Sequence, residues 1–185
     1  MIFSDRDIKK ALEDKQIGIS PFDENLLQPS SYDMRLMNRV LVFDNYEAAV
    51  IDVREKQDVS REVIIGDKGF VLHPGEFILG SSMEIFTFSD QMVGQINGKS
   101  SLGRLGLVIH ATAGFFDPGF EGQATLEMAN VSRLPIRLYA EMKIAQMMFM
   151  ETKTRAEFPY GSQKLGSKYK GQMGPTASLM WKNYK

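Results

Sequence analysis

Residues 62–88 read EVIIGDKGFVLHPGEFILGSSMEIFTF, and this stretch decides the fold class of the chain. Short runs rich in β-branched and aromatic residues alternate with groups of turn-forming residues at 66–69, 73–76 and 80–82. The pattern predicts several short strands joined by tight turns.

The same pattern continues on both sides of this stretch. It predicts strands in five further runs: 39–43, 105–114, 122–131, 136–140 and 143–151. A strand every ~8–12 residues is typical of an antiparallel sandwich, a jelly roll or a distorted barrel. The ~30-residue βαβ spacing of Rossmann and P-loop folds is missing. One helix is predicted, capped by Ser4 and running to about Lys15, and residues 19–29, which hold two prolines, are predicted as a loop.

Length and composition favour a single soluble domain over residues 1–185. The chain is 43% hydrophobic and 24% charged, as globular proteins are. Its 22 basic and 23 acidic residues give a net charge of −1, which argues against a general nucleic-acid binder. No apolar run approaches the ~20 residues of a membrane span, and the charged N-terminus is unlike a signal peptide. A cytoplasmic location is therefore expected.

Cysteine and histidine content narrows the possible chemistry. The chain has no cysteine and two histidines, His73 and His110. Disulfides, thiol nucleophiles, cysteine-ligated zinc and a three-histidine metal site are therefore excluded.

The C-terminal segment, residues 152–185, differs from the rest of the chain. It holds seven basic residues and one acidic residue, so it carries +6 while residues 1–151 carry −7. One interpretation is a disordered, solubilising tail. The other is a segment that closes over a polyanionic ligand, favoured by five aromatic residues of a kind that disordered segments usually lack.

The densest polar cluster is NGKSSLGRLG at 97–106. Its lysine, two hydroxyls and arginine are donors suited to phosphate oxygens. Residues 94–100, GQINGKS, fall one residue short of a P-loop, which must also join a parallel strand to a long helix. The P-loop is rejected, and a phosphate-binding loop and an ordinary polar surface loop both remain open.

Two acidic residues are further candidates. Asp117 opens an Asp-Pro-Gly turn within TAGFFDPGF at 112–120, and it either caps that turn alone or presents a carboxylate to a sugar or base. In QATLEMA at 123–129, strand alternation puts residues 124, 126 and 128 toward a core and Glu127 on the opposite face. Glu127 is either solvated or, among small and apolar neighbours, a partly desolvated carboxylate suited to general acid–base chemistry.

Taken in order, these blocks resemble the dCTP deaminase family, a branch of the trimeric dUTPase superfamily, and within it the bifunctional, dUMP-forming members. The matching blocks are SDRDI (4–8), QPSSYDMRL (28–36), FVLHPGEFILGS (70–81), GKSSLGRLGL (98–107), TAGFFDPGF (112–120), TLE (125–127), LPI (134–136), PYGS (159–162) and GSKYKGQMGPT (166–176). The resemblance implies a mainly β, dUTPase-like distorted antiparallel barrel or jelly roll with a short N-terminal helix. It also implies a homotrimer with active sites between subunits, magnesium bound through the nucleotide phosphates, and no zinc.

The resemblance assigns roles by position. Glu127 is the implied proton donor and acceptor, and Asp117 the implied deoxyribose contact, which also takes part in pyrophosphate release. Gly114 and Phe115 match positions linked to the second activity. The implied substrate-binding residues are Lys99, Ser100, Ser101, Leu102, Gly103, Arg104, Asp117, Thr125, Leu126, Glu127, Gln146, Tyr160, Lys168 and Gln172.

The expected function is deamination of dCTP followed by release of pyrophosphate, giving dUMP for thymidylate synthesis. Without a zinc site, Glu127 would pass a proton from water to N4 of cytosine, with Ser100, Ala113 and Thr125 positioning water and base. The basic tail would fold over the triphosphate. The ligands are dCTP and dUTP, with no nucleic acid and no membrane as partner. The alternatives are a deaminase that stops at dUTP, a pure dUTPase, and a non-catalytic nucleotide-binding regulator.

Overall fold

The computed structural model describes residues 1–43, 49–112 and 114–185. Within these ranges the helices are α1 (Asp5–Glu13) and α2 (Ser100–Gly103). The strands are β1 (Ile17–Ser20), β2 (Leu27–Gln28), β3 (Ser31–Arg35), β4 (Arg39–Phe43), β5 (Ser60–Ile64), β6 (Phe70–Leu72), β7 (Phe77–Phe88), β8 (Met92–Gly98), β9 (Leu107–Ile109), β10 (Phe115–Phe116), β11 (Glu121–Asn130), β12 (Ile136–Leu138) and β13 (Lys143–Glu151).

Helix α1 begins as its sequence predicts. The Asp7 carboxylate accepts the Ser4 N–H at 2.9 Å, and the Ser4 hydroxyl accepts the Asp7 N–H in return, which completes a capping box. The Ser4 N–H and the Ser4 hydroxyl, which also donates to the carboxylate at 2.7 Å, lower the pKa of the Asp7 carboxyl. The helix ends at Glu13, slightly before the predicted end, and Lys15 has φ 57.

The strands form two main antiparallel sheets. One has the order β5-β4-β7-β11-β9, with β1 also paired to β7, and the other has the order β10-β8-β13-β3-β2. Strands β12 and β6 form a separate pair. The sheets share one core, in which Phe86 and Phe88 of the first sheet approach Phe149 of the second with ring centroids 6.5 Å and 6.0 Å apart. The predicted mainly β architecture with a short N-terminal helix is confirmed.

The turn predicted at 80–82 is wrong, because β7 runs unbroken through these residues. A β-carbon on Gly80 would lie 2.6 Å from the Met128 Cε and 3.0 Å from the Leu36 Cδ1. Glycine is therefore needed here for close packing. Ser82 is fully buried, and its hydroxyl accepts the Ala124 N–H at 2.8 Å, which satisfies a polar group inside the sheet.

The sequence-based prediction missed strands β1, β2, β3 and β8. Strand β1 and the β2–β3 pair lie in and after the predicted loop, and β8 contains the segment that resembles a P-loop. Strand β8 runs antiparallel to both of its neighbours, β10 and β13, and α2, which follows it, has 4 residues. This geometry supports the rejection of a P-loop. No helix within the described ranges is long and apolar enough to cross a membrane.

Candidate active site

Strand β11 carries the candidate proton-transfer residue. Its apolar residues Ala124, Leu126 and Met128 are fully buried. Thr125 and Glu127 alternate with them and line a cavity of about 570 Å³, as the strand period predicts. The solvated-face interpretation of Glu127 is therefore replaced by a carboxylate at the wall of a cavity.

A hydroxyl group lies against the Glu127 carboxylate. The Thr112 Oγ1 is 3.0 Å from both Oε1 and Oε2 of Glu127, so the hydroxyl can donate to either oxygen. The main chain holds the segment that leads to Thr112 against β11, because the His110 N–H donates to the Glu127 carbonyl at 2.8 Å. Thr112 has no role in the sequence-based prediction, since one threonine after a short strand carries no distinguishing signal.

The Asp-Pro-Gly turn forms another wall of the cavity. Asp117 is exposed and lines the cavity, and its carbonyl accepts the Phe120 N–H at 3.1 Å. Gly119 has φ 87, and a β-carbon there would lie 2.7 Å from the Pro159 Cβ. The turn therefore requires glycine, both for its backbone and for contact with the start of the tail.

Gly114 lies beside β8, close to the cavity. Its carbonyl accepts the Ile96 N–H at 2.7 Å, and a β-carbon on Gly114 would lie 2.8 Å from the Ile96 carbonyl oxygen. A side chain here would push against main chain that cannot move independently. Phe115, next to it, lines the cavity.

The C-terminal segment packs on the same cavity. The Tyr160 N–H donates to the Pro118 carbonyl at 2.7 Å, and the Tyr160 hydroxyl accepts the Tyr169 N–H at 3.0 Å. Gln172 forms a parallel bridge with Gly122. Tyr160, Tyr169 and Gln172 all line the cavity, so the tail closes one side of it.

Tail contacts also bury the first part of β11. Gln123 shares a face with Glu127 by alternation, yet it is 4% exposed. Its N–H donates to the Gln172 carbonyl at 3.0 Å, and the Gln172 Nε2 donates to the Gln123 carbonyl at 2.7 Å. The tail therefore covers this end of β11.

The charged side chains on the cavity wall are acidic. The described residues that line it include four acids, Asp52, Glu55, Asp117 and Glu127, and no lysine or arginine. A nucleoside triphosphate needs cationic partners for its phosphates. Those partners must come from outside the wall of this cavity.

The predicted phosphate-binding residues lie elsewhere. Helix α2 presents Ser100, Ser101, Gly103 and Arg104 as exposed residues, and the Arg104 Nε is 3.4 Å from the Ser100 Oγ. Lys99 is paired with Asp33, with its Nζ 2.6 Å from the Asp33 Oδ1. Residues 99–104 are absent from the described residues that line the cavity.

The remaining predicted residues do not line the cavity within the described ranges. Gln146 on β13 stands in register with Asn97 and with Asp33, on the side of α2. Lys168 is half-buried in the tail without lining the cavity. Leu126 is buried in the core, so only its main chain is available to a ligand. Ala113 lies outside the described residues.

The cavity therefore unites Asp117, Thr125, Glu127, Tyr160 and Gln172, and leaves the α2 residues and Gln146 apart. Within the described residues, no three histidine, aspartate or glutamate side chains are grouped so that they can hold a metal ion.

Comparison with known proteins identifies the family. The family model described as dCTP deaminase-like matches residues 2–152. A protein of Corynebacterium kroppenstedtii named "dCTP deaminase, dUMP-forming" is 50% identical over 187 residues, covering 100% of both chains. A protein of the same name from Mycobacterium tuberculosis is 48% identical, covering 100% of this chain and 98% of the other.

A solved structure supports the fold. The 2'-deoxycytidine 5'-triphosphate deaminase of Agrobacterium tumefaciens superposes with a TM-score of 0.63 at 22% identity. The match covers 82% of this chain and 48% of that one. From the matched family model and the full-length relatives, this chain belongs to the dCTP deaminase-like family.

Proposed function

We propose that the protein is a dUMP-forming dCTP deaminase. The observation that carries this proposal is the Glu127 carboxylate, held by the Thr112 hydroxyl at 3.0 Å on the wall of a cavity. Two relatives that match the whole chain at about half identity bear the name of this activity. The cavity volume suits a small-molecule ligand.

In the first hydrolysis, Glu127 acts as both base and acid. Its carboxylate takes a proton from a water molecule whose oxygen attacks C4 of cytosine. The proton then passes to N4, the C4–N4 bond breaks and ammonia leaves. The proton that remains on the C4 hydroxyl moves to N3, which gives dUTP. The Thr112 hydroxyl, donating to one carboxylate oxygen, leaves the other oriented toward the water.

The zinc deaminases activate water with a metal held by cysteine and histidine. Since this chain has no cysteine, we propose that the proton transfers rest on Glu127 without zinc.

In the second hydrolysis, a second water attacks the α-phosphorus of dUTP, pyrophosphate leaves and dUMP remains. Asp117 lines the cavity next to Phe115 and Phe116, where the sugar and α-phosphate would lie in this arrangement. Gly114 supports this step, because a larger residue would press on the Ile96 carbonyl and disturb that wall. We propose that Mg²⁺ enters as part of the substrate, bound to the triphosphate.

We further propose that the site is completed by a second copy of the chain, in a homotrimer. The cavity wall lacks lysine and arginine among its described residues, while Arg104 and its neighbours are exposed on α2. Around α2 three apolar side chains are exposed: Leu105 by 61%, Val131 by 69% and Leu134 by 74%. Such a patch marks an interaction surface, and its position would bring α2 to a neighbour's cavity. The cytoplasmic location stays a prediction.

The decisive experiment is incubation with dCTP and Mg²⁺, followed by chromatography for dUTP, dUMP and pyrophosphate. We expect dUMP and pyrophosphate in equal amounts, with deamination unaffected by a zinc-selective chelator. Accumulation of dUTP would indicate a deaminase alone, and turnover of dUTP without turnover of dCTP a pure dUTPase. Nucleotide binding without any product would indicate a regulator. Loss of deamination that zinc alone restores would contradict the zinc-free mechanism.

A further inference from the structure

Asp33 is a buried carboxylate that none of the chemistry above uses. It lies in β3 and is 1% exposed. A buried charge is costly unless a partner compensates it. Two lysines do so: the Lys99 Nζ lies 2.6 Å from Oδ1 and the Lys143 Nζ lies 3.5 Å from Oδ2.

The two lysines differ in what they connect to Asp33. Lys143 is the first residue of β13, a direct neighbour of β3 in the sheet, and its side chain is 47% exposed. Lys99 joins β8 to α2, and its side chain is 23% exposed. The shorter and more buried ion pair is therefore the one that reaches the proposed phosphate-binding helix.

Helix α2 needs such an attachment. A helix of 4 residues gains little from its own hydrogen bonds. The Lys99 carbonyl accepts the N–H groups of Leu102 and Gly103, each at 3.0 Å, so the position of Lys99 sets the first turn. At the other end, the Gly106 carbonyl accepts the Val131 N–H at 2.9 Å. Between these two attachments, the residues of α2 are mostly exposed.

We infer that Asp33 is a positioning residue, which orients the phosphate-binding hydroxyls and Arg104 by holding Lys99 at the start of α2. The expected effect on dCTP binding rests on the proposed function. The claim that Asp33 holds Lys99 and α2 in place does not. In the ligand-free protein the ion pair itself keeps α2 in place, before any phosphate arrives.

The test begins with hydrogen–deuterium exchange of the ligand-free Asp33→Asn variant. Asparagine keeps the shape and loses the charge. We expect exchange in residues 99–106 to rise about tenfold, because a buried ion pair is broken, with the rest of the chain unchanged. Unchanged exchange in residues 99–106 would overturn the inference, and a uniform rise throughout the chain would assign Asp33 to general stability.

Kinetics provide the second readout. For Asp33→Asn we expect the KM for dCTP to rise by roughly 10- to 100-fold, the cost of misplacing a binding group, while kcat changes little because Glu127 lies in the cavity. Lys143→Gln is the matched control. It also removes a cation from Asp33 but not the link to α2, so both measurements should stay near wild type.

The double variant separates positioning from direct contact. If Asp33 acts through Lys99, adding Asp33→Asn to Lys99→Met changes the KM no further than Lys99→Met alone. Multiplying effects would overturn the inference. If Asp33→Asn does not fold, Lys99→Met carries the exchange measurement on its own. An inactive wild-type protein would refute the proposed function, while the exchange result would still decide the role of Asp33.

Discussion

Glu127 and Arg104 lie in surroundings of opposite kind. Glu127 sits on the wall of a cavity, with the Thr112 hydroxyl at 3.0 Å and the tail closing one side. Arg104 is exposed at the end of a 4-residue helix, with its Nε 3.4 Å from the Ser100 Oγ. One copy of the chain thus assembles groups suited to proton transfer, and it displays groups suited to phosphate binding on its surface.

This difference is what we expect if a small β protein divides one site between two copies, as proposed above. A cavity with acids on its wall suits proton transfer, but it repels a triphosphate. Cations displayed on an exposed helix attract phosphates from solution, since exposed charge acts over distances near the Debye length. The proposed joining of the two regions between copies would satisfy both needs, and the following variants test it.

The largest effect is expected for Glu127→Gln. Glutamine keeps the size of the side chain and its hydrogen bonding but cannot carry a proton. General acid–base groups typically contribute ~10²–10⁴-fold to the rate, and Glu127 would handle both proton transfers, so deamination should fall by the upper end of that range. Affinity for dCTP should change little, because the phosphate contacts lie on α2.

The same variant separates the two reactions. Product analysis with added dUTP should show that pyrophosphate release persists in part, because that step depends on Asp117 and the phosphate contacts more than on Glu127. Near-normal conversion of dCTP to product would remove Glu127 from the reaction.

Mixing two inactive variants tests the division directly. Glu127→Gln retains the α2 residues, and Arg104→Ala retains the cavity. In randomly mixed trimers, about one quarter of the sites between copies combine an intact cavity with an intact α2, and dCTP turnover should recover accordingly in coexpressed protein. Glu127→Gln mixed with Asp117→Ala is the control, because both changes lie in the cavity, and it should stay inactive. No recovery in the first mixture would mean that each chain builds its site alone.

Deletion of residues 159–185 tests the contribution of the tail. The truncated chain loses Tyr160 and Gln172 from the cavity and Lys168 from its surroundings. Hydrogen bonds to charged groups contribute about 1.5–3 kcal/mol each, so dCTP affinity measured by calorimetry should fall at least tenfold, with β circular dichroism retained. Unchanged affinity would refute the model of a tail that closes over the nucleotide.

The smallest effect is expected for Thr112→Val, which removes the hydroxyl but keeps the shape. Losing one hydrogen bond to a carboxylate should lower kcat by about tenfold, with little change in the KM for dCTP. Thr112→Ser, which keeps the hydroxyl, should remain near wild type. An equal loss in both variants would show that the methyl group matters more than the hydrogen bond.

Local patterns predicted several of the sheet elements. The strands at 39–43 and 143–151 have the predicted bounds, and alternation placed Glu127 opposite the core. Strand β3 was missed because four of its five residues are buried, so it shows no alternation. The turn predicted at 80–82 was wrong because Gly80 serves close packing, which a local pattern cannot distinguish from a turn.

Local patterns could not predict that the α2 residues lie apart from the cavity. Lys99 and Thr112 are close in sequence, and nothing in the residues between them shows that α2 faces away from the cavity. The Asp33–Lys99 pair joins residues 66 positions apart, and Thr112 gained meaning only when β9 placed it against Glu127. Such contacts depend on the tertiary fold.

The main-chain pairing of the tail with β11 is short, a single parallel bridge between Gly122 and Gln172, supplemented by side-chain hydrogen bonds to Gln123 and Thr125. If the tail closes over the nucleotide as proposed, this short pairing has a kinetic consequence. In a two-step reaction, the intermediate dUTP can be hydrolysed or can escape, and with the tail closed as proposed its escape would require the tail to detach. A segment held by few main-chain hydrogen bonds opens at a small fraction of the global unfolding free energy. The fraction of dUTP that undergoes the second hydrolysis then depends on the rate of attack on the α-phosphorus relative to the rate of tail opening.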